Sequence, residues 1–553
     1  MLNRSSKIIM ALFGALLASA LACAPSEARP SPGAQPTAGE PKYGGTITLL
    51  GAATTGIDPA LGQIPINPWH YIGEPMLRRH PETFELQPAA LESWQISPDG
   101  KEIIFKVRQG MKFHNKPPVN GREVEARDIV YMIKSTSGLQ YPELSPTRFP
   151  RKANYKAMED VVALDKYTVK LTLKQPSITF LQSLADHRNT FVYPEGLREA
   201  FPGGVDSLVV PNAERHIASG PFILTKFEPE VLAEFERNPD YYQKEYPYLD
   251  KIRLVNIVDT AAQNAAFVAG QLDILSTNTA QARNFVVKNF PEAQIVTYKP
   301  ARGWDRLSLN VTRKPFDDYK VRRALYLTID KKTVGAVYAG SYEGKPMWNL
   351  PGIIHWTYPE ARPQEELAKH PLYQGPTPAN VAEAKRLLKE AGYENGFEFT
   401  AHTTPSYLDY VQVIEADWAK HLNVKMNIKA TEAAVHLALA AKGEYEAQFY
   451  SHQSDATSVA HLAAAYHTKG GRNYGRTSDP KLDAMLDEAE GTLDLVKYKE
   501  LMRKIEDYIM DYNLAMLPTD QASNQVALAP YVRGTEYGPN TEDRSAFKWW
   551  VDK

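Results

Sequence analysis

Cys23 is the chain's only thiol. The body behind it, about 510 residues once the N-terminal segments are set aside, can use no disulfide and must hold itself together by packing. That length exceeds what one hydrophobic core serves, so roughly two to four domains are expected. The segment before Cys23 carries the three parts of an export signal. Arg4 and Lys7 form a positive end, Ile8 to Ala18 an apolar core short for a bilayer, and Ala20-Leu21-Ala22 a small-residue cleavage point. Residues 1–22 are therefore expected to be a signal peptide.

Two fates for Cys23 follow. Cleavage after Ala22 either releases a soluble secreted protein or leaves Cys23 as a lipidated first residue. An unpartnered thiol ahead of a tether favours the anchor. The site resembles a bacterial lipobox, although Ala20 stands where leucine is usual. The tether itself spans residues 23–41, where Pro25, Pro30, Pro32, Pro36 and Pro41 alternate with small polar residues. Such a stretch buries too little apolar surface to fold, and its prolines keep it extended.

No later stretch is apolar for long enough to span a membrane. A formal net charge of −2 offers no long-range attraction to nucleic acid or anionic lipid, so neither is an expected partner. Alternating and helical segments are interspersed, which predicts a mixed α/β fold. Glu102 to Arg108, Thr168 to Leu173, Val231 to Glu236 and Ile252 to Ile257 read as half-buried strands. Helices are predicted from Pro378 to Ala391, capped by Thr377 and stopped by Gly392, from near Asp317, and from Lys481 to Glu490.

Catalytic signatures are absent. There is no G-x-S-x-G elbow, H-E-x-x-H helix, phosphate loop, G-x-G-x-x-G turn or body cysteine. His461 and His467 are six apart, which does not set two imidazoles on one helical face for a metal, and they are read as surface or loop residues. Neither a metal nor a cofactor is expected. The 30 tyrosines and 8 tryptophans make a binding site for a flexible polar ligand a better reading than catalysis. A secreted hydrolase of peptides or glycans stays open as the other class.

Several segments occur in a fixed order. Leu86 to Trp94 with Ser97-Pro98-Asp99-Gly100, Phe105 to His114, Ala126 to Val130, Ser219 to Phe222 and Arg237 to Tyr241 come first. Asn310 to Asp330, Glu383 to Gly396 and Asn473 to Glu488 follow. Together they resemble the large extracytoplasmic solute-binding proteins of bacterial ABC importers, family 5, which includes oligopeptide-, dipeptide- and nickel-binding proteins.

That resemblance implies an α/β, two-lobed periplasmic-binding-protein-like fold of class II type with an extra β-rich subdomain in the first lobe. It divides the chain into a first-lobe core at 42–83, 208–300 and 521–553, the subdomain at 84–207, and the second lobe at 301–520. It implies a monomer outside the cytoplasm, touching the membrane only through its anchor, that closes on a peptide or similar small solute and delivers it to a permease. Peptide-carrying relatives have an Asp that meets the ligand's ammonium. Here that position falls on His452, with Asp455 three residues on, which leaves an oligosaccharide or other non-peptide ligand open. Trp304, Trp348, Tyr407 and Tyr450 fall where relatives line the cleft. Glu74 is expected to fix a turn. Asp317, Asp318, Arg322 and Arg323 are expected to form a helix cap and solvated face.

Overall fold

The computed structural model describes residues 39–553 apart from 52–57, 59, 62–68, 81–82, 84, 146–147, 150–151, 186–190, 209–211, 299–302, 343–344, 357, 454, 523 and 536–545. Cys23, the export signal and nearly all of the tether lie outside the described residues. None of the described helices is long and apolar enough to cross a membrane.

Two sheets organise two lobes. The first has seven strands, in the spatial order Gln294–Tyr298, Asn524–Leu528, Ile274–Ser276, Thr46–Leu50, Lys251–Val255, Leu232–Arg237, Phe222–Glu228. Thr46–Leu50 runs parallel to both of its neighbours, whereas Asn524–Leu528 is antiparallel to the strands on either side of it. The second sheet has six strands: Trp348–Asn349, Met516–Ala522, Gly303–Leu309, Ala447–Gln453, Glu398–Thr403, Lys425–Ala430. It repeats the plan. Glu398–Thr403 is parallel to both neighbours, and Gly303–Leu309 is antiparallel to both of its own.

The repeated plan has a consequence for the connection between lobes. The chain leaves the first sheet after Tyr298 and enters the second at Gly303. It leaves the second after Ala522 and re-enters the first at Asn524. Each arriving strand inserts between two others instead of adding at an edge. Both crossings are thus anchored in hydrogen-bonded strands on each side.

A third, antiparallel sheet of Leu91–Ile96, Glu102–Val107, Thr168–Leu173 and Met158–Asp165 packs on helix Ala126–Ser137. Its buried residues, among them Ile103, Phe105, Val169, Leu171, Ile129 and Met132, join the core of the first lobe. A separate core holds the second lobe, around Leu307, Val321, Phe399, Trp418, Leu462, Leu486 and Leu517. The division is physical: apolar residues of the two main sheets bury against their own helices, as layered α/β packing requires.

Local signals were obeyed closely. Thr168–Leu173 is a strand over its whole predicted span. Helix Pro378–Glu390 is capped by Thr377, whose hydroxyl accepts from the Asn380 amide at 3.2 Å. Asp318 caps helix Tyr319–Leu327. Arg322, however, is not on a solvated face. It is buried, donating from Nε to the Asn513 carbonyl at 2.7 Å and from Nη1 to that of Phe316 at 2.7 Å. Glu74 is fully buried, accepting from Arg78 at 3.0 Å, Tyr241 at 2.9 Å and Tyr242 at 3.0 Å. It ties the segment after helix Trp69–Ile72 to the loop following Leu232–Arg237.

A cluster of rings and charges at the carboxyl edge of the second sheet

In open α/β sheets, ligands meet loops beyond the carboxyl ends of parallel strands. In the second lobe those ends are Thr403, Ala430 and Gln453. The antiparallel strand Gly303–Leu309 contributes its amino end to the same edge, directly after the first crossing. Trp304 pairs in register with His452, Asp305 with Ser451, and Arg306 with Tyr450. The side chains of Trp304 and His452 lie outside the described residues.

Tyr407 and Tyr450 meet at this edge. Tyr407 precedes helix Leu408–Leu422, and its ring centre lies 6.1 Å from that of Tyr450 and 5.4 Å from that of Phe449. Tyr450 also stacks on His436, with centres 4.9 Å apart and planes inclined by 21°. His436 comes from helix Ala433–Lys442, the element that follows strand Lys425–Ala430. Burial pushes its pKa down to about 4. The ring is therefore neutral at physiological pH and serves as a flat surface under Tyr450.

Asp455 heads a chain of polar and charged groups. Its carboxylate is ion-paired with Arg472 and lies 3.2 Å from His461 Nδ1, and its carbonyl accepts from Tyr358 Oη at 2.9 Å. His461 Nε2 is 3.3 Å from Arg306 Nη2. His461 is buried on helix Ser458–Tyr466, 1% exposed, not on a surface or loop. Its spacing to His467 excluded a metal pair but said nothing of depth. Burial first, then the Arg306 and Arg472 charges, hold its pKa well below the ordinary range, against the pull of Asp455. Arg306 is pushed down to about 10 by burial and then by Arg472. The Asp455 carboxylate thus faces a guanidinium already in place, while the Arg472 side chain remains 24% exposed.

On the other face of the same strand, Asp305 is 9% exposed and accepts from Tyr410 Oη at 3.3 Å. Burial raises its carboxyl to about 6, against hydrogen bonds from Ser451 and Tyr410 and the charge of Arg306.

Trp348 does not join the rings. It lies on the edge strand Trp348–Asn349, three strands from Ala447–Gln453, and its indole covers Gly335, where an added Cβ would come within 2.5 Å. Asp305, Arg306, His436 and Arg472 were missed by sequence reasoning. One signal was available for the first two: Asp305 and Arg306 are adjacent opposite charges in the segment Gly-Trp-Asp-Arg-Leu-Ser-Leu, which the structure shows to be a strand.

The bacterial extracellular solute-binding proteins, family 5 (middle region), match residues 85–474. The chain belongs to that family. Among its curated relatives, this solute-binding protein is 27% identical over 483 residues to a dipeptide-binding protein of Pseudomonas aeruginosa, covering 83% of this chain and 84% of that one. It is 28% identical over 483 residues to heme-binding protein A of Haemophilus influenzae, covering 82% of each chain. Two solved structures share its fold. One is an ABC transporter-associated periplasmic binding protein of Helicobacter pylori in complex with the peptide STSA, with a TM-score of 0.74 at 21% identity over 93% of this chain and 99% of that one. The other is HbpA2 of Haemophilus parasuis, with a TM-score of 0.76 at 22% identity over 92% and 100%. The two-lobed architecture and the family expected from the ordered segments both hold, and the chain is grouped with carriers of solutes, not with enzymes.

Proposed function

We propose that this protein is the substrate-binding lipoprotein of an ABC importer, tethered outside the cytoplasm through Cys23, which captures short peptides by closure of its two lobes and passes them to a membrane permease. The observation that carries the reading is the gathering of Tyr407, Tyr450, Asp455 and Arg472 at the carboxyl edge of the second sheet, beside both chain crossings. A hinge at such crossings lets one lobe swing onto a ligand held by the other. Closure is then populated in proportion to how much more tightly the closed form binds.

In this reading the lobes are residues 42–83 with 208–300 and 521–553, carrying the subdomain 84–207, and residues 301–520. The protein acts as a monomer. Tyr407 and Tyr450, with Trp304 and His452 beside them, supply apolar faces and hydrogen-bonding tips. Arg472 meets a ligand carboxylate, because a planar guanidinium suits that group and Asp455 already holds it in place. Asp455 acts through Arg472 and does not take the ligand's ammonium. Backbone hydrogen bonds to the peptide provide affinity common to many sequences. The dipeptide-binding relative and the peptide-bound structure support this ligand class.

The test is native mass spectrometry of the folded protein incubated with an equimolar pool of di- to pentapeptides. Stoichiometric peptide-sized mass increments, without cleavage of the pool, are expected. No increment from any peptide, or turnover of the pool, overturns the proposal.

A further inference from the structure

Helix Ile178–Ser183 belongs to two cores at once. Phe180 and Leu181 pack in the core of the first lobe, whereas Ile178, 3% exposed, packs in that of the second. The polar groups around Ile178 also cross between lobes. Ser177 caps the helix by accepting from the Phe180 amide at 3.0 Å, and its hydroxyl proton goes to Glu490 Oε1 at 2.5 Å. Thr179 donates to Glu490 Oε2 at 2.5 Å. Thr179 has a single hydroxyl proton, so in the 2.9 Å contact with Thr457 it is Thr457 that donates. Thr457 in turn accepts from the Ala460 amide at 3.1 Å as the cap of helix Ser458–Tyr466.

Glu490 ends helix Pro480–Glu490 in the second lobe and is 8% exposed. The loop it reaches through these hydroxyls, Asp455 to Thr457, is the one that holds Arg472. A second first-lobe side chain meets the same loop: Arg79 donates to the Ala456 carbonyl.

We infer that Ser177, Thr179 and Glu490 form a latch that closes the first lobe onto the second and positions the Asp455–Thr457 loop without touching ligand. The inference deepens the proposed function and rests on its two-lobe closure. The chemistry suits a reversible contact. A carboxylate with two hydroxyl donors is satisfied when the lobes meet, and it is readily hydrated when they part. Ile178 adds apolar burial that favours the closed arrangement. These three are positioning residues: they set the loop, and the loop holds Arg472.

The experiment compares wild type, the double variant Ser177→Ala/Thr179→Val, and the conservative variant Thr179→Ser, all without ligand. Small-angle scattering reports lobe separation, and amide hydrogen exchange reports the Thr457–Val459 segment. The double variant is expected to show a larger radius of gyration and at least about tenfold faster exchange at those amides, while Thr179→Ser matches wild type. Glu490→Gln, whose amide oxygen can accept one hydroxyl but not both in the same geometry, is expected to fall between; it also serves if the double variant fails to fold. A double variant, or Glu490→Gln in its place, that equals wild type in both readouts overturns the latch. A Thr179→Ser variant as perturbed as the double does so too. Because neither readout needs a ligand, failure of the peptide reading leaves this test intact.

Discussion

Replacing Asp305 by asparagine should stabilise the protein at neutral and alkaline pH and do so only there. The carboxyl is buried on strand Gly303–Leu309, and its pKa is raised from 3.8 to about 6. The folded protein therefore binds that proton more tightly than the unfolded chain does. Below about pH 4 the group is protonated in both states and costs nothing. As pH rises through the window from 3.8 to about 6, the unfolded chain releases the proton first and stability is lost. Above it the full penalty applies. At about 1.4 kcal/mol for each tenfold change in proton affinity, the penalty is about 3 kcal/mol. Asparagine removes it, but its Nδ2 protons need an acceptor where the carboxylate accepted from Tyr410 and Ser451; that mismatch offsets about 1 kcal/mol. The net gain is about 2 kcal/mol at pH 8, a rise of roughly 4–8 °C in the melting of a lobe of this size. Thermal melts of wild type and Asp305→Asn at pH 4, 6 and 8 measure it. A difference that does not change with pH, or a variant that melts lower at pH 8, would refute the reasoning.

Gly396→Ala should destabilise the second lobe by about 2–4 kcal/mol, because the residue sits at φ +80° and the new Cβ would lie 1.9 Å from the Asn423 carbonyl oxygen. Gly110→Ala, at φ +76° with nothing within 4 Å, should cost only about 1 kcal/mol, and equal melting losses for the two would contradict the clash. Cys23→Ala should move the protein from the membrane fraction to the soluble extracytoplasmic fraction of expressing cells while leaving peptide retention unchanged. Persistence in the membrane fraction would remove the lipid anchor.

Much of the local structure was legible because its causes are local. Thr377 before Pro378, with an apolar stripe and Gly392 behind it, states where a helix starts and stops, and the helix forms there. Alternation in Thr168–Leu173 places its apolar residues on the buried face of the third sheet. Depth was less readable. Arg322 has the pattern of a surface charge, yet its guanidinium is enclosed by the carbonyls of Asn513 and Phe316. One of those partners lies far along the chain, where no local pattern reaches it. His461 was misplaced for the same reason, since Arg306 and Asp455 arrive from different strands and loops.

Within the candidate site, Tyr407 and Tyr450 could be named in advance and do come together, whereas Trp348 packs on Gly335 and pairs in register with Ala522, on the edge strand beside the second crossing. Asp455 could be named too, but not that Arg472 would occupy its carboxylate.

The chain alone, through ordered motifs, periodicity and caps, determined the family, the α/β class and the positions of several elements, Thr168–Leu173 and Pro378–Glu390 among them. These depend on interactions within a few turns or on segments that read the same wherever they are placed. Tertiary structure decided which strand enters the middle of each sheet, which charges are buried against which partners, and that Ile178 and Glu490 join the lobes. Those outcomes are set by contacts between residues hundreds of positions apart, such as Thr179 with Glu490, and burial and electrostatics at such contacts are properties of the folded arrangement only.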